Sequence, residues 1–153
     1  MEFDDFKPSA RVKLSAIWAA LMFCYIYADF FGLFVKARLA GMNAGIMNPI
    51  GPASEQVLLG TSVMMAIPSL MVFLPLPMRP AFNHWVNAVL GLVYAGIIGL
   101  TMIGAPLFYL FFGTVEVVLS SLIVWYAWKV AESRDRLSSL NVCFRAIADI
   151  RLP

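Results

Sequence analysis

Residues 14–35 read LSAIWAALMFCYIYADFFGLFV, a run whose one charged residue is Asp29. A hydrocarbon core about 30 Å thick takes roughly 20 helical residues to cross, so this stretch predicts a membrane-spanning helix. Working outward, three further runs have that character, at about residues 57–76, 85–104 and 107–128. Backbone groups find no water partner in lipid, so each run is expected to be a helix. A membrane barrel needs short alternating segments, and these runs are continuously apolar. The expected fold is therefore an all-α membrane protein, a four-transmembrane-helix bundle forming a single integral membrane domain over residues 1–153.

Composition agrees. Hydrophobic residues make up 61% of the 153 and charged residues only 13%, against about 45 to 50% and about 25% in soluble domains. The mean hydropathy is +0.83. No basic run is interleaved with solvent-facing aromatics, so no nucleic-acid partner is expected. The acidic start MEFDDF and the lack of an A-x-A-like site after the first apolar run argue against a cleaved signal peptide.

The placement of Lys and Arg orients the bundle. Lys7, Arg11, Lys13, Arg79, Lys129, Arg134, Arg136, Arg145 and Arg151 fall on one side, and Lys36 and Arg38 on the other. By the positive-inside rule both termini are expected to be cytoplasmic. Trp125, Tyr126 and Trp128 ahead of Lys129, with Trp18 and Trp85 near the same level, read as an interfacial aromatic belt. In the tail, residues 129–153, Leu137, Leu140, Phe144 and Ile147 share one helical face away from Arg136 and Arg145. That pattern predicts an amphipathic tail helix on the anionic inner leaflet, or one packed on a partner subunit.

The connections differ in kind. Gly104, Ala105 and Pro106 leave almost no loop, which makes the third and fourth spans antiparallel neighbours. Pro75, Pro77 and Pro80 stiffen the turn between the second and third. The external segment 36–56, carrying Asn43, Gly45, Asn48, Pro49, Gly51 and Pro52, is expected to be a loop, with Ser54 as N-cap of the second span.

Asp29 and Glu116 are the carboxylates at membrane depth, and no Lys or Arg lies within a span to neutralise them. Such groups are costly and usually face a bundle interior or a water-filled cavity. At 1.5 Å per residue the two differ in depth by about 5 Å, within side-chain reach if the first and fourth spans touch. Close together, they would share a proton and titrate as a pair. Helical spacing gives each span one polar or small face. The first carries Trp18, Tyr25 and Asp29; the third His84, Asn87, Gly91, Tyr94 and Thr101; the fourth Tyr109, Glu116 and Ser120; the second Glu55, Ser62 and Ser69. Converging, these faces describe a polar core or a ligand cavity.

The expected ligand- or proton-binding set is Asp29, Glu116, Tyr25, Tyr94, Asn87, Ser120 and Trp18, with Glu55, His84, Thr101 and Tyr109 as gate or rim. The competing view is ordinary helix packing, with the tyrosines satisfying a protonated carboxyl, His84 as a solvated or capping group and Glu55 as a helix-dipole partner. Pro68 is expected to kink the second span, its freed carbonyl lining the cavity or being met by Ser69. Gly91, Ala95 and Gly99 form a small-residue ridge suited to close packing inside the bundle or between protomers.

Cys24 and Cys143 form no CxxC or zinc spacing and are expected to be inert. Met64 and Met65 point to different sides of a helix and Met71 and Met78 are isolated, so no metal site is expected and no cofactor. Phosphate-binding and hydrolase motifs are absent from the sequence.

Two stretches, RVKLSAIWAALMFCYIYADFFGLF and LFYLFFGTVEVVLSSLIVWYAW, with Tyr25, Tyr27 and Asp29 in the first and Glu116, Trp125 and Trp128 in the second, resemble a family of small bacterial four-span membrane proteins of unknown function. The resemblance implies a bacterial inner-membrane protein in which the tyrosine and aspartate of the first span and the glutamate of the fourth are family features. It implies no activity.

These readings lead to an internal polar pocket that binds a small amphiphilic or cationic ligand, coupled to protons and with translocation as an extension. The alternatives are an intramembrane enzyme or quinone- or lipid-linked subunit, and a scaffold subunit without its own chemistry. The expected partners are the lipid bilayer, the small ligand, and either further copies of the chain or a larger membrane protein.

Overall fold

The computed structural model describes the backbone of residues 8–47 and 50–150, and the side chains of 8–47 and 50–129. Helix α1 spans Ala10–Gly32. It starts where the Ser9 hydroxyl accepts from the Val12 N–H, satisfying one of the amides a helix N-terminus leaves unpaired. A short helix α2, Arg38–Asn43, follows.

The external segment departs from the expected plain loop. It folds into a two-stranded antiparallel ladder, β1 at Ile46–Met47 and β2 at Gly51–Pro52, with Ile46 opposite Pro52. Gly45 and Gly51 adopt positive φ at its ends, conformations that L side chains rarely take. Asn48 and Pro49 lie outside the described residues.

Helix α3, Glu55–Leu70, is capped by Ser54, which accepts from the Val57 N–H. It is shorter than the second expected span. Pro75 and Pro77 bring no N–H, so residues 71–78 continue as turns rather than helix. Three side chains meet carbonyls of this segment: Ser15 donates to Val72 O at 2.5 Å, Arg11 to Leu76 O at 3.2 Å and Asn83 to Pro75 O at 3.1 Å. The segment therefore lies at the end of the bundle where α1 begins.

Helix α4, Pro80–Thr101, begins five residues before the expected Trp85, because Pro80 at the first helical position has its φ preset and needs no donor. Gly104 at φ 74° turns the chain into α5, Leu107–Ile150. The helix runs through the expected boundary at residue 128 without a break. The amphipathic pattern of the tail, and Cys143, lie outside the described side chains.

Helix α5 packs along both α4 and α1, and α3 touches α1. The core is Leu14, Trp18, Leu21, Met71, Tyr94 and Ile123. At Gly91 an added Cβ would come within 3.0 Å of Val124 and 3.3 Å of the Ser120 carbonyl, so a glycine lets α4 and α5 approach there. Gly99 has open space instead, so the small-residue ridge is a packing surface of the bundle only at its Gly91 end. Phe23, Phe30, Phe34, Leu92, Leu100, Ile103 and Phe111 point outward. Among the described residues three helices are long and apolar enough to cross a membrane: Ala10–Gly32, Pro80–Thr101 and the Leu107–Lys129 part of α5.

Candidate functional site

Two polar clusters divide the bundle. Near the 71–78 turns, the Trp18 indole N–H donates to Asn87 Oδ1 at 2.7 Å. The Asn87 amide donates to the Asn83 carbonyl at 2.8 Å and to Asn83 Oδ1 at 2.5 Å, and Asn83 in turn donates to Pro75 O. Trp18, Asn83 and Asn87 are all fully buried. A closed network of this kind leaves no group for a ligand and fixes the geometry of the elements it joins. Asn87 and Trp18 thus belong to a structural relay rather than to a pocket.

Asn83, which the sequence reading missed, sits one helical turn before Asn87, and extending the polar stripe of α4 by that turn would have found it. His84 is buried rather than solvated. Its Nδ1 lies 2.9 Å from the Ala127 carbonyl, with the Trp85 and Trp128 rings 5.2 and 5.0 Å away by centroid.

The second cluster surrounds a cavity of about 130 Å³ lined by α1, α3, α4 and α5. Tyr25, Ala28 and Asp29 come from α1, Met64 and Met65 from α3, Tyr94, Ile98 and Thr101 from α4, and Tyr109 and Glu116 from α5. Pro68 helps to build it. Lacking an N–H, it leaves the carbonyl of Met64, four residues earlier, without its helical donor. The Tyr94 hydroxyl donates to that carbonyl, while Ser69 turns back to Met65 O. Tyr94, not Ser69, meets the freed group.

The remaining polar atoms are not met. Glu116 is 4% exposed and its Oε1 has no hydrogen-bond partner; Tyr25 Oη and Ser120 Oγ are likewise buried and unpartnered. Buried polar groups are nearly always paired, so two orphans facing one cavity, Tyr25 from α1 and Glu116 from α5, mark a place built for something else. The Tyr25 and Tyr94 rings stand 6.5 Å apart, tilted at 35°. Asp29 reaches the same cavity from a more exposed position. Ser120 is one turn beyond Glu116 and does not line the space. Glu55 stands exposed in the first turn of α3, away from the cavity, where its charge suits the helix N-terminus.

Above the cavity lies a vestibule of about 430 Å³ formed by Val35, Lys36, Ala37, Arg38 and the 101–109 turn. Thr101 and Tyr109 line both spaces. A side groove of about 490 Å³ combines Asp29 and Arg38 with Ile26, Phe30, Leu33 and Met42. The Arg38 guanidinium rests on Gly32, where an added Cβ would fall 2.8 Å from Nη1. A cation from outside the spans is thereby brought back beside Asp29, which counting charges within spans did not anticipate. Among the described residues no group of three His, Cys, Asp or Glu side chains is placed to hold a metal ion.

No curated protein and no solved structure matches the chain. A family described as one of unknown function, DUF6326, matches residues 1–139, nine-tenths of the sequence, and the chain belongs to that family.

Proposed function

We propose that the chain is a four-span bacterial inner-membrane protein, its termini cytoplasmic, whose inner cavity binds the cationic headgroup of a small amphiphile in exchange for a proton. The observation that carries this reading is the buried, unpartnered carboxyl of Glu116 facing a cavity it shares with Asp29 and three tyrosines. Carboxylates supply the charge, and tyrosine faces attract a cation through the ring quadrupole, as in aromatic cages for quaternary ammonium. At about 130 Å³ the space is close to the roughly 150 Å³ that accepts a benzene-sized guest, so it suits a headgroup and excludes a whole lipid. A cation arriving at a buried carboxyl takes the place of its proton, which is how such groups couple ligand and proton movement in membranes. Crossing by 55–76 is supported by its course: it leaves the end where α2 sits and arrives beside Arg11 at the start of α1.

The test uses a permanently charged ligand, so that only the protein titrates. Hexyltrimethylammonium, kept below its micellar concentration, is titrated calorimetrically into protein in maltoside micelles from pH 5 to 9. Affinity is expected to rise with pH, because protons compete with the ligand for the carboxyls, and to fall at least about tenfold in Glu116→Gln, the loss of one charge-assisted contact. Equal affinity in Glu116→Gln and Asp29→Asn would sink the proposal.

A further inference from the structure

The charges around the cavity are ordered by depth, and the order specifies a ligand. A free cation approaching from the vestibule first meets Lys36 and Arg38, which repel it. The carboxylates lie deeper. Asp29 is three residues before Gly32, about 4.5 Å of helical rise below the point where the Arg38 guanidinium rests. Arg38 and Asp29 line the same side groove and act on each other electrostatically, which sets a cationic and an anionic group side by side along it. The groove is otherwise apolar, with Ile26, Phe30, Leu33 and Met42 along it.

We propose, building on the cation-binding reading above, that the ligand is a zwitterion: its cationic group seats against Glu116 and Asp29, its anionic group is held by Arg38 and Lys36, and its chain lies in the side groove. The chemistry is that of a phosphodiester joined through a few atoms to an ammonium group, as in a zwitterionic lipid headgroup or the corresponding water-soluble diester. The guanidinium suits this role because its planar fork matches a phosphate in two-point contact. The anion-binding groups, which oppose a simple cation, become the element that selects against it.

Three ligands test the proposal in maltoside micelles: hexyltrimethylammonium, hexylphosphocholine with the same chain and the same quaternary nitrogen, and glycerophosphocholine, a phosphodiester of the same charge without the chain. Hexylphosphocholine is expected to bind at least about tenfold more tightly than hexyltrimethylammonium, the gain of a charge-assisted contact. The double variant Lys36→Gln with Arg38→Gln is expected to remove that advantage while leaving hexyltrimethylammonium bound as well as before or better. Retained binding of the simple cation shows that the double variant is folded. Arg38→Lys, in the Lys36-containing protein, keeps the charge but loses the two-point fork and should lose part of the advantage, less than the double variant does.

If hexylphosphocholine binds no tighter than the simple cation, or keeps its advantage in the double variant, the zwitterion proposal is overturned. The cation-binding reading then stands or falls separately on Glu116→Gln. Glycerophosphocholine binding as tightly as hexylphosphocholine would assign the site to a water-soluble zwitterion and overturn the role of the groove. Much weaker binding of glycerophosphocholine would assign it to a lipid headgroup.

Discussion

A carboxyl buried without a cation or a full set of donors is kept against a standing cost of several kcal/mol. Glu116 is such a group, whereas Asn87, equally buried, has every polar atom engaged. The two should respond to the same substitution with opposite sign. Glu116→Leu removes an unsatisfied group and is expected to stabilise the bundle by about 1 kcal/mol or more while abolishing ligand binding. Asn87→Leu orphans the Trp18 indole N–H and the Asn83 Oδ1 and is expected to cost about 1–3 kcal/mol. Thermal unfolding in maltoside reads both. A fall in melting temperature for Glu116→Leu as large as for Asn87→Leu would show that Glu116 is a structural residue and would remove the main support for a binding cavity.

At the scale of the element, a proline and a tyrosine on different helices act as one unit. Pro68 frees the Met64 carbonyl, and Tyr94 takes it. Tyr94→Phe is therefore expected to cost about 1 kcal/mol in the native background, the net worth of one hydrogen bond. In Pro68→Ala the restored N–H supplies the carbonyl from within α3, and the same Tyr94→Phe change should cost next to nothing. The double-mutant cycle thus has an expected coupling of about 0.5–1.5 kcal/mol, and additive effects would show that the two residues do not cooperate. This pairing marks the boundary of what the sequence discloses. Local signals placed two boundaries, Ser54 capping α3 and Gly104 with Pro106 making the tight α4–α5 turn, while the apolar runs misjudged where α3 stops, α4 starts and α5 ends. The convergence of Asp29, Glu116, Tyr25 and Tyr94 followed from helical spacing, since a polar face must turn from lipid. The partners did not follow. Which helix meets the Met64 carbonyl, or that Arg38 folds back onto Gly32, depends on how helices are arranged and how a loop returns, and neither leaves a periodic trace.

The whole molecule poses the question of how many times the chain crosses. Helix α3 has 16 residues, about 24 Å of rise, less than the roughly 30 Å of a hydrocarbon core. In a fourth crossing the turns at 71–78 would supply the remaining distance, and irregular backbone near lipid is tolerated where protein satisfies its carbonyls, as Ser15, Arg11 and Asn83 do here. The two ends of this segment also sit at opposite ends of the bundle. Residues 35–38 share the vestibule with the 101–109 turn, while Leu76 meets Arg11. Charge favours the same count. Four crossings place nine of the eleven Lys and Arg residues on one side, Lys36 and Arg38 on the other. With three crossings, Lys7, Arg11 and Lys13 would be separated from the five cations of the tail, and the termini would face opposite compartments. Reporter fusions decide between the two. Four crossings put a fusion after Gly45 outside, one after Arg79 inside and one after Gly104 outside, with the C-terminal reporter inside. Gly45 and Arg79 reporting from one side, with the C-terminus opposite the N-terminus, would reduce the bundle to three spans and leave α3 a lid over the cavity rather than one of its membrane walls.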